Sequence, residues 1–377
     1  MIQNIQMVDL KTQYHHIQKE IDQAVLDVIR STQFINGYAV KDFQSALEGY
    51  LAVKHVIPCA NGTDALQIAM MALDLKPGDE VIVPAFTYVA TAEVIGLLKL
   101  KPVMVDVDPQ TFNITPEIVA AAITSKTRAV VPVHLFGQSV DMEGIMKLAD
   151  LHDFYVIEDN AQAIGADYRY ADGSISKAGT IGHIGCTSFF PSKNLGCYGD
   201  GGAIFTNDDD IAAKLRMIAN HGQSRRYYHD EIGVNSRLDS IQAAILNIKL
   251  QHLDRYNNSR QKAADYYDQA FAGIEGLSTP VRSEKSTHVF HQYTLKLDGG
   301  RRDALVEFMQ TKSIPCMIYY PVPLYMQKAF STWVEEGFFL PNTDHLCKEV
   351  FSLPIHSELN PNVQDIIIET VKEGLIK

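Results

Sequence analysis

The stretch Ser188–Asp208 reads SFFPSKNLGCYGDGGAIFTND, and its one lysine, Lys193, is followed by four glycines within seven residues, at 196, 199, 201 and 202. A surface lysine needs no such setting. A lysine held against a closely approached ligand does, because glycine lets the backbone come near and supplies any positive-φ position. Three other stretches combine with it. In CANGTDAL (59–66), Asn61, Gly62, Thr63 and Asp64 follow a short apolar run and open a helical pattern. A helix N-terminus presents unpaired N–H groups that suit a phosphate, although an ordinary N-cap made by Thr63 or Asp64 is the commoner meaning of such residues. In VIEDNAQAIGA (156–166), Asp159 closes an apolar run. It reads either as the N-cap of the stretch AQAIGA, a role open to Asn160 too, or as a buried carboxylate that needs a charged or proton-bearing partner. In PAFTYVAT (84–91), Phe86 and Tyr88 read as core packing or as a ring stacked on a flat ligand.

These residues need elements that bring them together. Short apolar runs alternate with helical patterns through the first two-thirds of the chain. Strands are expected at 56–60, 101–108, 127–137, 155–161 and in KPGDEVIVP. CTSFF and GGAIFTND give two more, with the lysine loop between them. Helices are expected from GTDALQIAMMALDL, TAEVIGLLKL, TPEIVAAAI (Thr115 as N-cap) and VDMEGIMKLADLHD. Near-continuous apolar strands alternating with helices predict an α/β fold with a mainly parallel sheet, helices on both faces. Its ligands sit at the carboxyl ends of the strands, which is where all four stretches fall. After residue 237 the pattern changes. One long helix or two in tandem, a strand over 287–297 and two further helices predict a smaller α+β domain, giving domains 1–250 and 251–377 bridged by a helix.

Composition narrows the function. Of 377 residues, 46% are hydrophobic and 21% charged, ordinary for a globular protein. The net charge of −12 argues against non-specific nucleic-acid binding, which rests on cationic side chains. The five cysteines, scattered and without a CxxC pair, read as reduced thiols rather than a disulfide framework. No His/Cys cluster has zinc spacing, so no metal is expected. No apolar run approaches the length of a membrane span, and the N-terminus lacks the apolar segment of a signal peptide. The expected location is the cytoplasm.

A phosphate cradle, a carboxylate, an aromatic plate and a lysine on one sheet edge form the set that pyridoxal 5′-phosphate needs. Its phosphate takes helix N–H groups, its pyridine nitrogen a carboxylate, and its aldehyde a lysine. The four motifs, with VDLKTQY (8–14) and GVNSRLD (233–239), resemble the DegT/DnrJ/EryC1/StrS family of nucleotide-sugar aminotransferases over nearly the whole chain. The resemblance implies the aspartate aminotransferase fold (fold type I). It implies Lys193 as Schiff-base lysine and proton carrier, Asp159 at the pyridine nitrogen, Gln162 near the 3-hydroxyl and Tyr88 on the ring. Gly62, Thr63 and Ser188 hold the phosphate. Asn235 reaches the cofactor of a neighbouring subunit, which implies a homodimer with shared sites. Arg237 faces an anionic substrate group or makes a structural ion pair, and Tyr319 and Tyr320 line the substrate side.

The implied reaction moves an amino group, by resemblance from glutamate, to a ketone on a nucleotide-linked sugar, in two half-reactions. The nearest subgroup acts on a UDP-linked 3-keto-N-acetylglucosaminuronic acid in surface-polysaccharide synthesis. A dTDP- or UDP-linked 3- or 4-keto-deoxysugar is the alternative, because Tyr319 and Tyr325 in YYPVPLYMQ (319–327) stand where many relatives carry other residues. Asn160 likewise stands where alanine is common. A catalytically silent regulator or binding protein on the same fold is the alternative of another class.

Overall fold

The computed structural model describes residues 5–376. Two helices, α1 (Leu10–Ser31) and α2 (Tyr38–Leu51), precede any strand. Then β1 (His55–Cys59), α3 (Gly62–Ala72), β2 (Glu80–Pro84), α4 (Ala90–Leu97), β3 (Lys101–Val105), α5 (Pro116–Ala122), β4 (Thr127–Val130), α6 (Met142–His152) and β5 (Tyr155–Asp159) alternate. A small hairpin, β6 (Asp167–Arg169) and β7 (Ile175–Lys177), comes before β8 (Ile184–Ser188) and β9 (Gly202–Thr206). Helix α7 (Asp209–Ala219), a second hairpin of β10 (Gln223–Arg225) and β11 (Tyr228–His229), and α8 (Ser240–Leu250) complete this part. Thr115 caps α5 by accepting from the Ile118 N–H, as expected from the sequence.

Seven strands form the central sheet in the order β1-β9-β8-β5-β4-β2-β3. Strands β8, β5, β4, β2 and β3 run parallel. Only β9 is reversed, antiparallel to both β8 and β1. The loop from β8 to β9 contains no helix to carry the chain back across the sheet, so the strand must return antiparallel. Six strands therefore end on one edge, and the lysine loop turns around on that same edge. Val81, Ile82 and Val83 on β2 are fully buried, as expected of a strand covered on both faces. Strand β4 is shorter than the sequence suggests. It stops at Val130, Val133 makes one further bridge to Asp159, and a 3₁₀ turn at Leu135–Gly137 bends the chain away.

The long helical region is two helices in tandem, α8 and α9 (Leu253–Phe271). Helix α9 leaves the first body and enters a second: Leu253 packs with α2 and α8, whereas Tyr267 and Phe271 pack with Phe290, Tyr293 and Ile367. The second core lies between α9, α10 (Arg302–Thr311), α12 (Pro361–Ile376) and a three-stranded antiparallel sheet. That sheet comprises β12 (Leu277–Ser278), β13 (Tyr293–Leu297) and β14 (Val350–Leu353), with α11 (Pro341–Glu349) leading into its last strand. The strand expected over 287–297 begins only at Tyr293, because residues 288–292 are drawn toward the sheet edge. The bodies also exchange segments. Ile5 joins the second core, and Leu324, Tyr325 and Phe330 join the first.

Candidate active site

At the carboxyl edge of the sheet lies a cavity of about 850 Å³. Its wall includes Gly62, Thr63, Tyr88, Asp159, Gln162, Ser188, Lys193, Tyr319 and Tyr320. Nine of the eleven residues anticipated for the site thus come together, from five separate parts of the chain.

One corner is the start of α3. Asn61, not Thr63 or Asp64, is the N-cap, and its side-chain oxygen accepts from the Asp64 N–H at 2.8 Å. The Ala65 N–H bonds to the Asn61 carbonyl. That is the first bond of the helix ladder; of the four amides before it, Asn61 to Asp64, that of Asp64 is taken by the cap and those of Gly62 and Thr63, at the cavity, can serve a ligand. A Cβ on Gly62 would lie 2.7 Å from the Ser188 Cβ, so glycine is needed for α3 to sit this close to the end of β8. The result is a small, positively polarised cradle of amides with a serine beside it.

Asp159 ends β5 and is buried. One carboxylate oxygen accepts from the Thr91 hydroxyl at 2.8 Å and the other from the Ala161 N–H at 3.2 Å. Thr91, fully buried on α4, is a functional candidate that sequence reasoning missed; an apolar-flanked threonine carries no signal until the fold places it against Asp159. Behind the carboxylate, Glu158 accepts from the His134 ring at 2.8 Å and from the amides of Gly179, Ile181 and Gly182. That network fixes the end of β5.

Lys193 follows β8 in a turn closed by its own N–H to the Phe190 carbonyl at 2.8 Å. Its amine opens onto the cavity, not onto bulk solvent. Burial lowers its pKa from 10.5 to about 8, and the nearby Asp159 carboxylate partly opposes that fall. The loop is braced from behind. The Asn194 amide donates to Asn257 and to the Val289 carbonyl, and the buried Lys249 amine donates to the Gly196 carbonyl at 2.6 Å.

The glycines do not act as anticipated. None of the four has a positive φ, and none lines the cavity. Their role is close packing: a side chain on Gly196 would strike the Pro191 carbonyl, and one on Gly202 the Asn61 carbonyl at the start of α3.

On the opposite wall Gln162 accepts from the Phe136 N–H at 2.8 Å and donates to the Tyr320 hydroxyl at 3.2 Å. Tyr88 stands exposed at the rim, its ring 6.4 Å from that of Tyr320. Phe86, by contrast, is core, packed against Phe112 and Phe136. Tyr325 is not at the substrate side either. It is buried, bonded to Asp344, and packed in the first core. His291 and Gln292 line the cavity from the second body and were not anticipated.

Asn235 and Arg237 stay outside this cavity. Asn235 is exposed and bridges Asn220 in the backbone. The Arg237 guanidinium donates to the Asn220 side chain at 3.1 Å, and its buried Nε has no partner. Among the described residues no cluster of side chains could hold a metal ion, and no helix is long and apolar enough to cross a membrane.

The chain is similar to known proteins over nearly its whole length. The chain is 45% identical to the UDP-2-acetamido-2-deoxy-3-oxo-D-glucuronate aminotransferase of Pseudomonas aeruginosa, over 94% of this chain and 96% of that one. It is also 45% identical to a protein of Geobacillus stearothermophilus named a pleiotropic regulatory protein, over 98% of each. Among solved structures, DesV of S. venezuelae superposes with a TM-score of 0.93 at 37% identity, covering 98% of each chain. A Brucella abortus aminotransferase gives 0.92 at 38%, covering 98% of this chain and 99% of that one. The DegT/DnrJ/EryC1/StrS aminotransferase family model matches residues 15–372, and the chain belongs to that family.

Proposed function

We propose that this protein transfers an amino group from an amino acid, L-glutamate, to the 3-keto group of a UDP-linked N-acetylglucosaminuronic acid. Its cofactor is pyridoxal 5′-phosphate, as in the family. The observation that carries the reading is the half-buried Lys193 with a lowered pKa, facing a buried, hydrogen-bonded Asp159 across one cavity. The residues present fit the cofactor. Gly62, Thr63 and Ser188 can take its phosphate, Asp159 its pyridine nitrogen, Gln162 its 3-hydroxyl, and Tyr88 one ring face. Bound there, the cofactor supplies an aldehyde for the lysine and a ring that withdraws electrons from the donor's α-carbon.

The chain's own residues supply the rest. Asp159, held by the Thr91 hydroxyl and the Ala161 N–H, is fixed at the end of β5 where it favours positive charge beside it. Lys193, its pKa lowered by burial to about 8, holds a much larger share of free amine near neutral pH than an exposed lysine, and that amine can take a proton from one substrate carbon and return it to another. Tyr319 and Tyr320 close the substrate side and exclude water. The sugar assignment is supported by the identity to the Pseudomonas enzyme. A relative of equal identity carries a regulator's name, but a regulator has no use for a low-pKa lysine set against a buried carboxylate.

The same reading makes the enzyme a cytoplasmic homodimer, with Asn235 and Arg237 serving the partner's cavity. Its support is the exposure of Asn235 beside apolar surface. Phe34 and Ile35 are about half exposed, and Ile35 bridges Asp239 at the end of the Asn235 segment. Mixing inactive Lys193→Ala and Arg237→Ala chains should then restore about a quarter of wild-type activity through mixed dimers; no recovery would refute shared sites. The function itself is tested by absorbance. The loaded protein should show a visible band that glutamate bleaches and the UDP-3-keto sugar restores. A dTDP-4-keto-deoxysugar restoring it instead would overturn the substrate, and a protein that never takes up the cofactor would overturn the reading.

A further inference from the structure

The loop that carries Lys193 is gripped from behind by one face of α8. Gln242 and Lys249 stand two turns apart on that helix, so they share a face. The Gln242 side chain accepts from the Tyr198 N–H at 2.8 Å and donates to the Tyr198 carbonyl at 3.4 Å. Lys249 donates to the Gly196 carbonyl at 2.6 Å. Asn257, on α9, accepts from the Asn194 amide at 2.8 Å. Residues 194, 196 and 198 are thus each held by a different helix side chain. On its other side the loop closes on the end of β8, where the N–H groups of Lys193 and Cys197 bond to the carbonyls of Phe190 and Phe189. A Cβ on Gly196 would lie 2.4 Å from the Pro191 carbonyl oxygen, so the turn is tightest at the residue that Lys249 holds.

Of these three holders only Lys249 is an ion, and its setting is costly. It is 1% exposed. Among the described residues no carboxylate is set against it. The titratable group beside it, Cys197, is a thiol: burial raises its pKa to about 11, and it donates to the carbonyls of Phe189 and Gly199. The Tyr198 ring, with its centroid 4.9 Å from the lysine nitrogen, adds a cation–π contact. Burial still lowers the Lys249 pKa from 10.5 to about 8, against the opposing pull of Cys197. At pH 7 the fold therefore bears a buried cation with no counter-charge. Methionine, of nearly the same length, would fill the space without that cost, and neutral amides suffice to hold residues 194 and 198. Stability does not account for a lysine here. A charge-assisted bond to Gly196, stronger than a neutral one, does.

We propose that Lys249 is a positioning residue for Lys193: its bond to the Gly196 carbonyl fixes the loop, so that the Lys193 amine keeps one station in the cavity. The inference rests on the aminotransferase reading above, in which Lys193 must meet the cofactor and then two different substrate carbons. Proton transfer needs donor and acceptor within hydrogen-bond reach, and small misplacements are costly. Lys249 lies behind the loop and outside the cavity wall, so it acts only through the loop.

The test separates holding the loop from holding the fold. Lys249→Met in the full chain is compared with wild type, first free of cofactor and then loaded. In the cofactor-free protein at pH 7, its urea midpoint should be no lower than wild type. Amide hydrogen exchange over residues 189–198, followed by peptide mass spectrometry, should be about tenfold faster, the worth of one hydrogen bond to a charged group, while β2 and β5 exchange as before. In the loaded enzyme kcat should fall about tenfold with the KM for glutamate within about twofold. The pH at which the visible band changes should also move. Unchanged exchange in the loop, or an unchanged kcat, would overturn the proposal. So would a lower midpoint with faster exchange throughout, which would make Lys249 a support of the whole fold. If the Met variant does not fold, Lys249→Gln, neutral and one atom too short to reach the carbonyl, is read in the same way. A wild-type chain that never takes up the cofactor would count against the aminotransferase reading, and the cofactor-free exchange would still decide whether Lys249 holds the loop.

Discussion

Replacing Lys193 by methionine should make the cofactor-free protein more stable, not less. Burial lowers the lysine pKa from 10.5 to about 8, and at about 1.4 kcal/mol per unit the gap corresponds to about 3 kcal/mol. The sign comes from proton linkage. Below pH 8 the lysine is protonated in both states, and the folded chain bears the full cost of holding an ammonium in a half-dry cavity. Between pH 8 and 10.5 the unfolded chain binds more protons, so stability rises with pH. Above 10.5 the penalty is gone. Methionine has a similar length and no charge, so it removes the cost at neutral pH. Water in the cavity solvates part of the charge, which sets the expected gain at about 1–3 kcal/mol at pH 7. The assay is urea unfolding of both cofactor-free proteins at pH 7, 8, 9 and 10, monitored by the fluorescence of Trp333, the sole tryptophan. The variant should lead at pH 7, and its lead should shrink steadily above pH 8. Equal stability at pH 7, or a lead that stays constant to pH 10, would refute the claim that the cavity disfavours the charged lysine. With cofactor bound the order should reverse, because only lysine can form the covalent bond.

Three further substitutions test the surroundings. Thr91→Val removes the hydroxyl donor to Asp159 and should lower kcat/KM about tenfold, the worth of one hydrogen bond to a charged group, while Thr91→Ser stays near wild type; equal losses in both would point to packing instead. Gly62→Ala forces its Cβ against Ser188 and should weaken cofactor binding at least about tenfold, or about 1.4 kcal/mol, read by titrating the visible band; unchanged affinity would remove Gly62 from the cradle. Asn160→Ala should raise stability by about 1 kcal/mol. Both polar atoms of the buried Asn160 amide lack partners, and relieving them outweighs the small void left behind. A lower unfolding midpoint would show that the amide is paired by water.

How far the sequence can be read depends on how local each signal is. The alternating apolar runs mark β1 to β5, β8 and β9, because a strand buried on both faces leaves little freedom in composition. Lys193, Asp159 and the start of α3 are legible because they stand at strand ends, where ligands gather in such sheets. The pattern over 287–297 overstates its strand, since nothing local announces that Arg260, Gly137 and Asn194 will bend the first half. Residue type alone suggests positive φ in the glycines of the lysine loop. Their true constraint is contact with Pro191 and Asn61, and the second of these lies far off in sequence.

The sequence by itself thus determined the layered fold, the sheet edge that carries the chemistry, and the lysine and carboxylate that face each other across it, because each is written in short-range pattern and side-chain type. Only the tertiary structure decided which polar groups were left without partners and which were supported. It gave Asp159 its Thr91 donor, left the Gly62 and Thr63 amides open, withdrew Tyr325 into the core, held Asn235 and Arg237 outside this chain's cavity, and set an unpaired His291 in the wall that Lys193 lines. Those outcomes depend on contacts between residues tens to hundreds of positions apart, and no window of sequence contains them.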